Sequence, residues 1–252
     1  MNLTKSTRQR TDVVYVLGRG SNWADNELRY SLRSLEKFMG DLGTVFVVGQ
    51  RPKWLTNVVF LPFPDVHICK ERNIMIKVAY ACGHPELSQT FLQVHDDHFL
   101  LAPMNGADIP NWCGGQLDQM AASVRKKAPG NHWADAVHNT HKALAARGHT
   151  TRNFDLHYPI LMDKTAYPET MDLYDWKNTP RGFVVKSLYA NTLGLPGTYS
   201  PDLKINTRLE LRDAVQWLKG RQWWSIGNGG LSLKFRQLFP HVYPKPSRFE
   251  IK

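Results

Sequence analysis

The sequence predicts an α/β sandwich with a mostly parallel central sheet and a helical C-terminal portion. Two observations carry that expectation: short β-branched apolar runs alternate with amphipathic helical stretches in the first hundred residues, and the second half is mostly of helical pattern. A third sets the scale. With 252 residues, 42% hydrophobic and 21% charged, the chain is long enough to bury a sizeable core as a globular protein.

The run Val13 to Leu17 reads as a buried strand that stops at the glycine loop Gly18 to Asn22. Asp25 is placed to cap a helix carrying Leu28, Leu32, Leu35 and Met39 on one face. Thr44 to Val48 and Val58 to Leu61 follow as strands, then a helix over Lys70 to Ala81 and a strand over Thr90 to Val94. Further helices are expected at Gln116 to Lys127, His138 to Arg147, Phe183 to Leu193 and Thr207 to Leu218. There is no repeat and no low-complexity linker, so residues 1–252 read as a single catalytic domain. Within it, 11–103 form the nucleotide- and metal-binding α/β part, and 104–252 a mainly helical acceptor-side part.

Ligands of a parallel sheet bind beyond the carboxyl ends of its strands. That rule puts Gly18 to Asn22 and His95-Asp96-Asp97-His98 on one edge. Two adjacent carboxylates at the end of a buried strand repel each other and lose hydration, a cost that a divalent cation relieves. Hard oxygen ligands suit Mg2+ or Mn2+, which would tie the protein to a diphosphate. The plainer reading is that one Asp caps a turn while the other faces water. Arg29 and Arg33 are four apart and share a helix face, which suits phosphate oxygens or an ordinary solvated pairing with Glu36. His157, followed by Tyr158 and Pro159, is either a phosphate or proton-transfer group or a satisfied core histidine.

Other features narrow the class. The net charge of +10 favours polyanionic partners, but it is scattered apart from Arg125-Lys126-Lys127, so no nucleic-acid arm is visible. The three cysteines lack CxxC spacing and read as reduced thiols. His132, His138, His141 and His149 cluster, yet no HExxH spacing supports zinc. Trp223-Trp224 would serve core packing before sugar stacking. Met1 to Arg10 is polar and basic, and no apolar run approaches the roughly 20 residues of a membrane span, so a cytoplasmic protein is expected.

The stretch Asp25-Asn26-Glu27-Leu28-Arg29-Tyr30-Ser31-Leu32-Arg33-Ser34-Leu35-Glu36-Lys37 resembles the second conserved region of the Stealth family of phosphosugar transferases. The likeness extends through Val45 to Val48 and Pro52 to Leu55. Asp12 to Tyr15 looks like the start of the first region, His95 to Leu100 like the family's Asn-Asp-Asp-Phe-Phe-Leu element, His157-Tyr158-Pro159 like the third region, and Phe239 to Glu250 like the close of the fourth. Departures at Arg19 and Asn22, and at Ile226-Gly227-Asn228, mark an outlying member.

The resemblance implies a GT-A-like nucleotide-diphosphosugar transferase fold and a nucleotide-sugar donor, with a UDP-sugar as the first expectation. It implies transfer of a sugar-1-phosphate, or of the sugar, to a hydroxyl of a polysaccharide or glycoconjugate. Asp96 and Asp97 would hold Mg2+ or Mn2+, with Asp97 also handling the acceptor proton. Arg29, Arg33 and Lys77 would hold the diphosphate, Arg19 and Asn22 the nucleoside, and His157 the transferred group or acceptor. Two rival readings are a glycosyltransferase acting on modified DNA bases and a non-catalytic module that binds polyanions or carbohydrate.

Overall fold

The computed structural model describes residues 10–19 and 21–251, so the expectations for the residues before Arg10 and for Gly20 of the glycine loop lie outside it. A five-stranded sheet has the order β3-β2-β1-β4-β7. Its strands are β1 (Thr11–Val16), β2 (Leu42–Gly49), β3 (Val59–Pro62), β4 (Thr90–Val94) and β7 (Ile160–Asp163). The first four are parallel; β7 joins β4 antiparallel at the edge. Between β4 and β7 in the chain lie the short strands β5 (His98–Leu100) and β6 (Trp112–Cys113).

Both faces of the sheet are buried, which is why the central strands read as unbroken apolar runs. Val13, Tyr15, Val45, Val47 and Leu92 point to one side and pack on Leu28, Leu32 and Leu35 of α1 (Asn26–Phe38). Val14, Phe46, Val48 and Phe91 point to the other, against Met75, Val78 and Ala81 of α2 (Lys70–Cys82). That second face is extended by α3 (Leu117–Lys127), α4 (His132–Ala145), α5 (Ala166–Asp172) and α6 (Val185–Thr192).

A smaller sheet, β5-β10-β9, is closed by β9 (Lys204–Ile205) and β10 (Trp223–Ile226). The two-residue strands β6 and β8 (Thr198–Tyr199) pair alongside. Trp223 and Trp224 are both buried, on opposite faces of β10: Trp224 packs with Phe235 and Phe239 of α8 (Leu233–Val242), and Trp223 joins the core beneath α1. The tryptophan pair is therefore core. Helix α7 (Leu211–Leu218) precedes β10. Among the described residues no helix is long and apolar enough to cross a membrane.

Three local expectations are corrected. Asp25 does occupy the N-cap of α1, but in a left-handed conformation (φ 57°, ψ 24°) whose side chain caps nothing. Helix α4 starts at His132, not His138, because the Asn131 side chain accepts from the amides of Trp133 (2.9 Å) and Ala134 (3.4 Å) and sets the first turn there. Helix α8 was not expected at all; its Phe235, Leu238 and Phe239 have helical spacing, but Pro240 lies inside the element.

Candidate functional site

The chain runs outward from β1 to β2 and β3, then crosses back through α2 to β4 on the other side of β1. The ends of β1 and β4 thus flank the point where strand order reverses, the usual place for a crevice. A cavity of about 440 Å³ opens there, lined by Arg19 and Ser21 after β1, Asp25 and Glu27 of the α1 entry, and His95, Asp96 and Asp97 after β4. A second cavity of about 660 Å³ lies on the side of the later helices and includes Trp133, Asp155, His157 and Asp202. The two share Lys70, Ile74, His95, Asp96, Asp97 and Lys204, so they meet at the His95 to Asp97 loop.

The loop is held from α1. Ser31 Oγ donates to the carbonyl of His98 (2.6 Å), and Ser34 Oγ accepts from the Leu100 amide (3.0 Å). The rings of His95 and His98 stack with centroids 4.9 Å apart. His95, Asp97 and His98 each bring one ligand atom within 4.8 Å of the others. Asp97 Oδ1 and His98 Nε2 are buried without any partner. Burial holds both imidazoles well below their ordinary pKa, so each is neutral at pH 7 with a lone pair to offer. Two imidazole nitrogens and one carboxylate oxygen fit a borderline cation such as Mn2+ better than Mg2+, which favours oxygen alone. The grouping differs from the expected Asp96–Asp97 pair: it takes in Asp97 with two histidines of the same motif.

The two aspartates are electrostatically unlike. Burial, Asp97 and Glu27 push the Asp96 carboxyl up to about 7. Burial works to raise Asp97 as well, but Lys204 outweighs it and holds that carboxyl well below the usual range. Lys204 Nζ lies 3.0 Å from Asp97 Oδ2 and 3.0 Å from His157 Nε2. Because an ammonium only donates, Nε2 accepts and the imidazole proton sits on Nδ1, 2.9 Å from both oxygens of Asp202. Buried Lys186 fixes the His157 segment by donating to the carbonyls of Leu156 and Tyr158. The structure thus assembles a chain from Asp202 through His157 and Lys204 to Asp97.

Of the expected site residues, Asp96, Asp97, Arg19 and Lys77 line the first cavity and His157 the second. Asn22 does not line either cavity; Ser21 occupies that rim, donating to Glu27 Oε2 (2.8 Å) and accepting from the amides of Trp23 and Asp25. Lys77 is 1% exposed, and its ammonium donates to the Leu17 carbonyl (2.7 Å) and Asp65 Oδ1 (2.5 Å). It acts as a strut that ties the end of β1 to the 65 loop.

Arg29 and Arg33 lie apart from the other expected residues. Arg33 makes two 2.7 Å hydrogen bonds to Glu250, and Arg29 sits 3.7 Å from the same carboxylate with its guanidinium over the Trp54 ring. Neither lines either of these two cavities. Their shared face meets the C-terminal segment. The residues that sequence reasoning missed are His95, His98, Glu27, Lys70, Lys204 and Asp202. The first two stood three apart within the motif already singled out; Lys204 and Asp202 carry no local signal.

The fold is shared with a solved structure. An active-site mutant of LgtC superposes with a TM-score of 0.53 at 10% identity, over 94% of this chain and 96% of that one. WbbM, a bifunctional glycosyltransferase in its apo form, matches at TM-score 0.46 and 10% identity, over 97% of this chain but 51% of its own length. Mouse xyloside xylosyltransferase 1, also apo, matches at 0.41 and 8% identity over 87% and 98%. No protein-family model matches the sequence, and no curated protein matches it significantly. The expected GT-A-like sandwich is the observed fold.

Proposed function

We propose that the chain is a nucleotide-sugar-dependent transferase that moves a glycosyl group to an acceptor hydroxyl. The observation that carries this reading is the meeting of two cavities at one loop of metal-ligand residues, beyond the strand ends of a GT-A-like sheet. The donor nucleotide diphosphate occupies the cavity next to the β1 loop, where Arg19 and Lys70 face its phosphates. Lys70 also opens α2, so the helix N-terminus adds positive potential there. The acceptor occupies the second cavity, formed largely by 104–252, with the Trp133 ring as an apolar face for a sugar.

In the reaction the acceptor oxygen bonds to the anomeric carbon while that carbon's bond to the phosphate oxygen breaks. Nucleoside diphosphate leaves, and the acceptor hydroxyl must lose a proton. His157 takes that proton at Nε2, and Asp202 at Nδ1–H orients the ring and stabilises the imidazolium that results. Mn2+ held by His95, Asp97 and His98 would supply charge neutralisation for the diphosphate when bound. The site's own residues contribute orientation, and their burial strengthens every charge interaction in it.

A second reading, transfer of a sugar-1-phosphate, is favoured by the Stealth-like stretches, which include the His95 to Leu100 and His157 to Pro159 segments. There the acceptor oxygen bonds to the β-phosphorus and nucleoside monophosphate leaves. Incubation with a panel of nucleotide-sugars, Mn2+ and simple sugar acceptors separates the two. UDP released from a UDP-sugar means glycosyl transfer, and UMP means phosphosugar transfer. A chain that turns over no nucleotide-sugar, yet binds polyanions in a salt-dependent way, is not a transferase.

A further inference from the structure

We propose that Lys204 is a resident counter-cation that competes with a divalent metal for Asp97 and yields it only when a diphosphate draws the ammonium away. The position is built, not incidental. Parallel pairing of β9 with β10 sets Lys204 beside Ser225, and the smaller sheet fixes both. The side chain passes over Gly227, where an added Cβ would come within 2.8 Å of Lys204 Cε and 2.5 Å of Asn206 Oδ1. Glycine there leaves room for the lysine stem. The ammonium ends 3.0 Å from Asp97 Oδ2, with Lys204 21% and Asp97 17% exposed, so solvent screens the pair only in part.

Asp97 therefore has one oxygen held by a fixed positive charge and another, Oδ1, buried without a partner beside the unpartnered Nε2 of His98. A dication accepted on the His95, Asp97 and His98 atoms would sit close to the ammonium, and the two would repel. Relief requires the lysine to swing, and it lies at the junction of both cavities, where an anionic diphosphate offers a better partner. The same swing removes the donor now facing His157 Nε2 and frees that lone pair for a proton. Metal binding and proton acceptance are thus both made conditional on the donor. The competition stands on the geometry alone; the diphosphate trigger rests on the nucleotide-sugar reading.

The test is calorimetric titration of the full chain with Mn2+, first without nucleotide. Lys204→Met is expected to bind Mn2+ at least tenfold more tightly than the wild type, and Lys204→Arg about as weakly as the wild type. Lys204→Gln serves as a second neutral variant should the first fold poorly by circular dichroism, with the same tightening expected. Equal or weaker Mn2+ binding by the neutral variants, including no binding by any form, overturns the competition. UDP is then added. It should tighten Mn2+ at least tenfold in the wild type and less than threefold in Lys204→Met; equal tightening in both overturns the trigger. If UDP binds neither protein while Lys204→Met still gains Mn2+ affinity, the nucleotide-sugar reading fails and the competition survives.

Discussion

Two ion pairs in this molecule use the same chemistry to opposite ends. At the C-terminal clasp, Arg33 and Glu250 are 12% and 8% exposed, joined by two parallel hydrogen bonds, and the carboxylate also accepts from the Ser247 amide and hydroxyl. At the site, Lys204 holds one oxygen of Asp97 while the other oxygen and the neighbouring His98 Nε2 go without partners. A buried charge whose hydrogen-bonding capacity is filled fixes a fold. One left half filled, beside two cavities, is available to a ligand. The contrast separates the two kinds of charge better than residue type does, since Arg19, Lys70 and Lys204 line the first cavity while Arg33 is held by Glu250.

The largest effect should come from the half-filled pair. Asp97→Asn is expected to lower transfer by at least about 10³-fold while moving the Tm by no more than about 3 °C. Undiminished turnover in that variant would remove the site assignment. Breaking the filled pair should do the reverse. Arg33→Met strips both arginine hydrogen bonds from Glu250, leaving it Ser247 and the more distant Arg29, at a cost of about 3 kcal/mol, or roughly 6–12 °C in Tm, with turnover at low temperature nearly kept. A comparable loss of activity at 20 °C would place Arg33 in the chemistry after all.

Acid should sharpen the same comparison by a smaller amount. Burial tends to raise Glu250, but the Arg33 hydrogen bonds prevail and hold its pKa below the ordinary 4.5. The unfolded chain therefore takes up that proton first as pH falls. The stabilisation is complete above pH 4.5 and is lost as pH drops through the folded value. In melting curves from pH 7 to pH 3, the gap between wild type and Glu250→Gln should narrow below that point; a constant gap would contradict it. The smallest effect belongs to Lys234 and Glu210, which are 69% and 75% exposed at 3.2 Å. Glu210→Gln should change stability by less than about 0.5 kcal/mol, within the scatter of a thermal melt.

The interior strands were legible because burial on both faces writes itself as an uninterrupted apolar run, as in Val13 to Tyr15 and Val45 to Val48. Strands β5, β7, β9 and β10 were not. Each is short, and each depends on a partner far along the chain, as Trp224 does on Phe99. The site divides in the same way. Asp96 and Asp97 could be singled out from their own neighbourhood, since two carboxylates ending a buried strand need a reason to be there. Asp202 lies in a loop and Lys204 opens the two-residue strand β9; neither carries a local pattern, and they acquire meaning only by standing next to His157 and Asp97.

Arg29 and Arg33 make the limit plain. Their four-residue spacing determined, from the sequence alone, that both would share one face of a helix. The same helical period turned Leu28, Leu32 and Leu35 to the sheet, and the place of Asp96 and Asp97 just after a buried strand put them at the strand ends. What that arginine face would meet was settled by Glu250, more than 200 residues away, and what Asp97 would meet by Lys204. Local pattern follows from backbone geometry, which neighbours in sequence fix. Charge partnership depends on which distant segments pack together, and only the tertiary structure decides that.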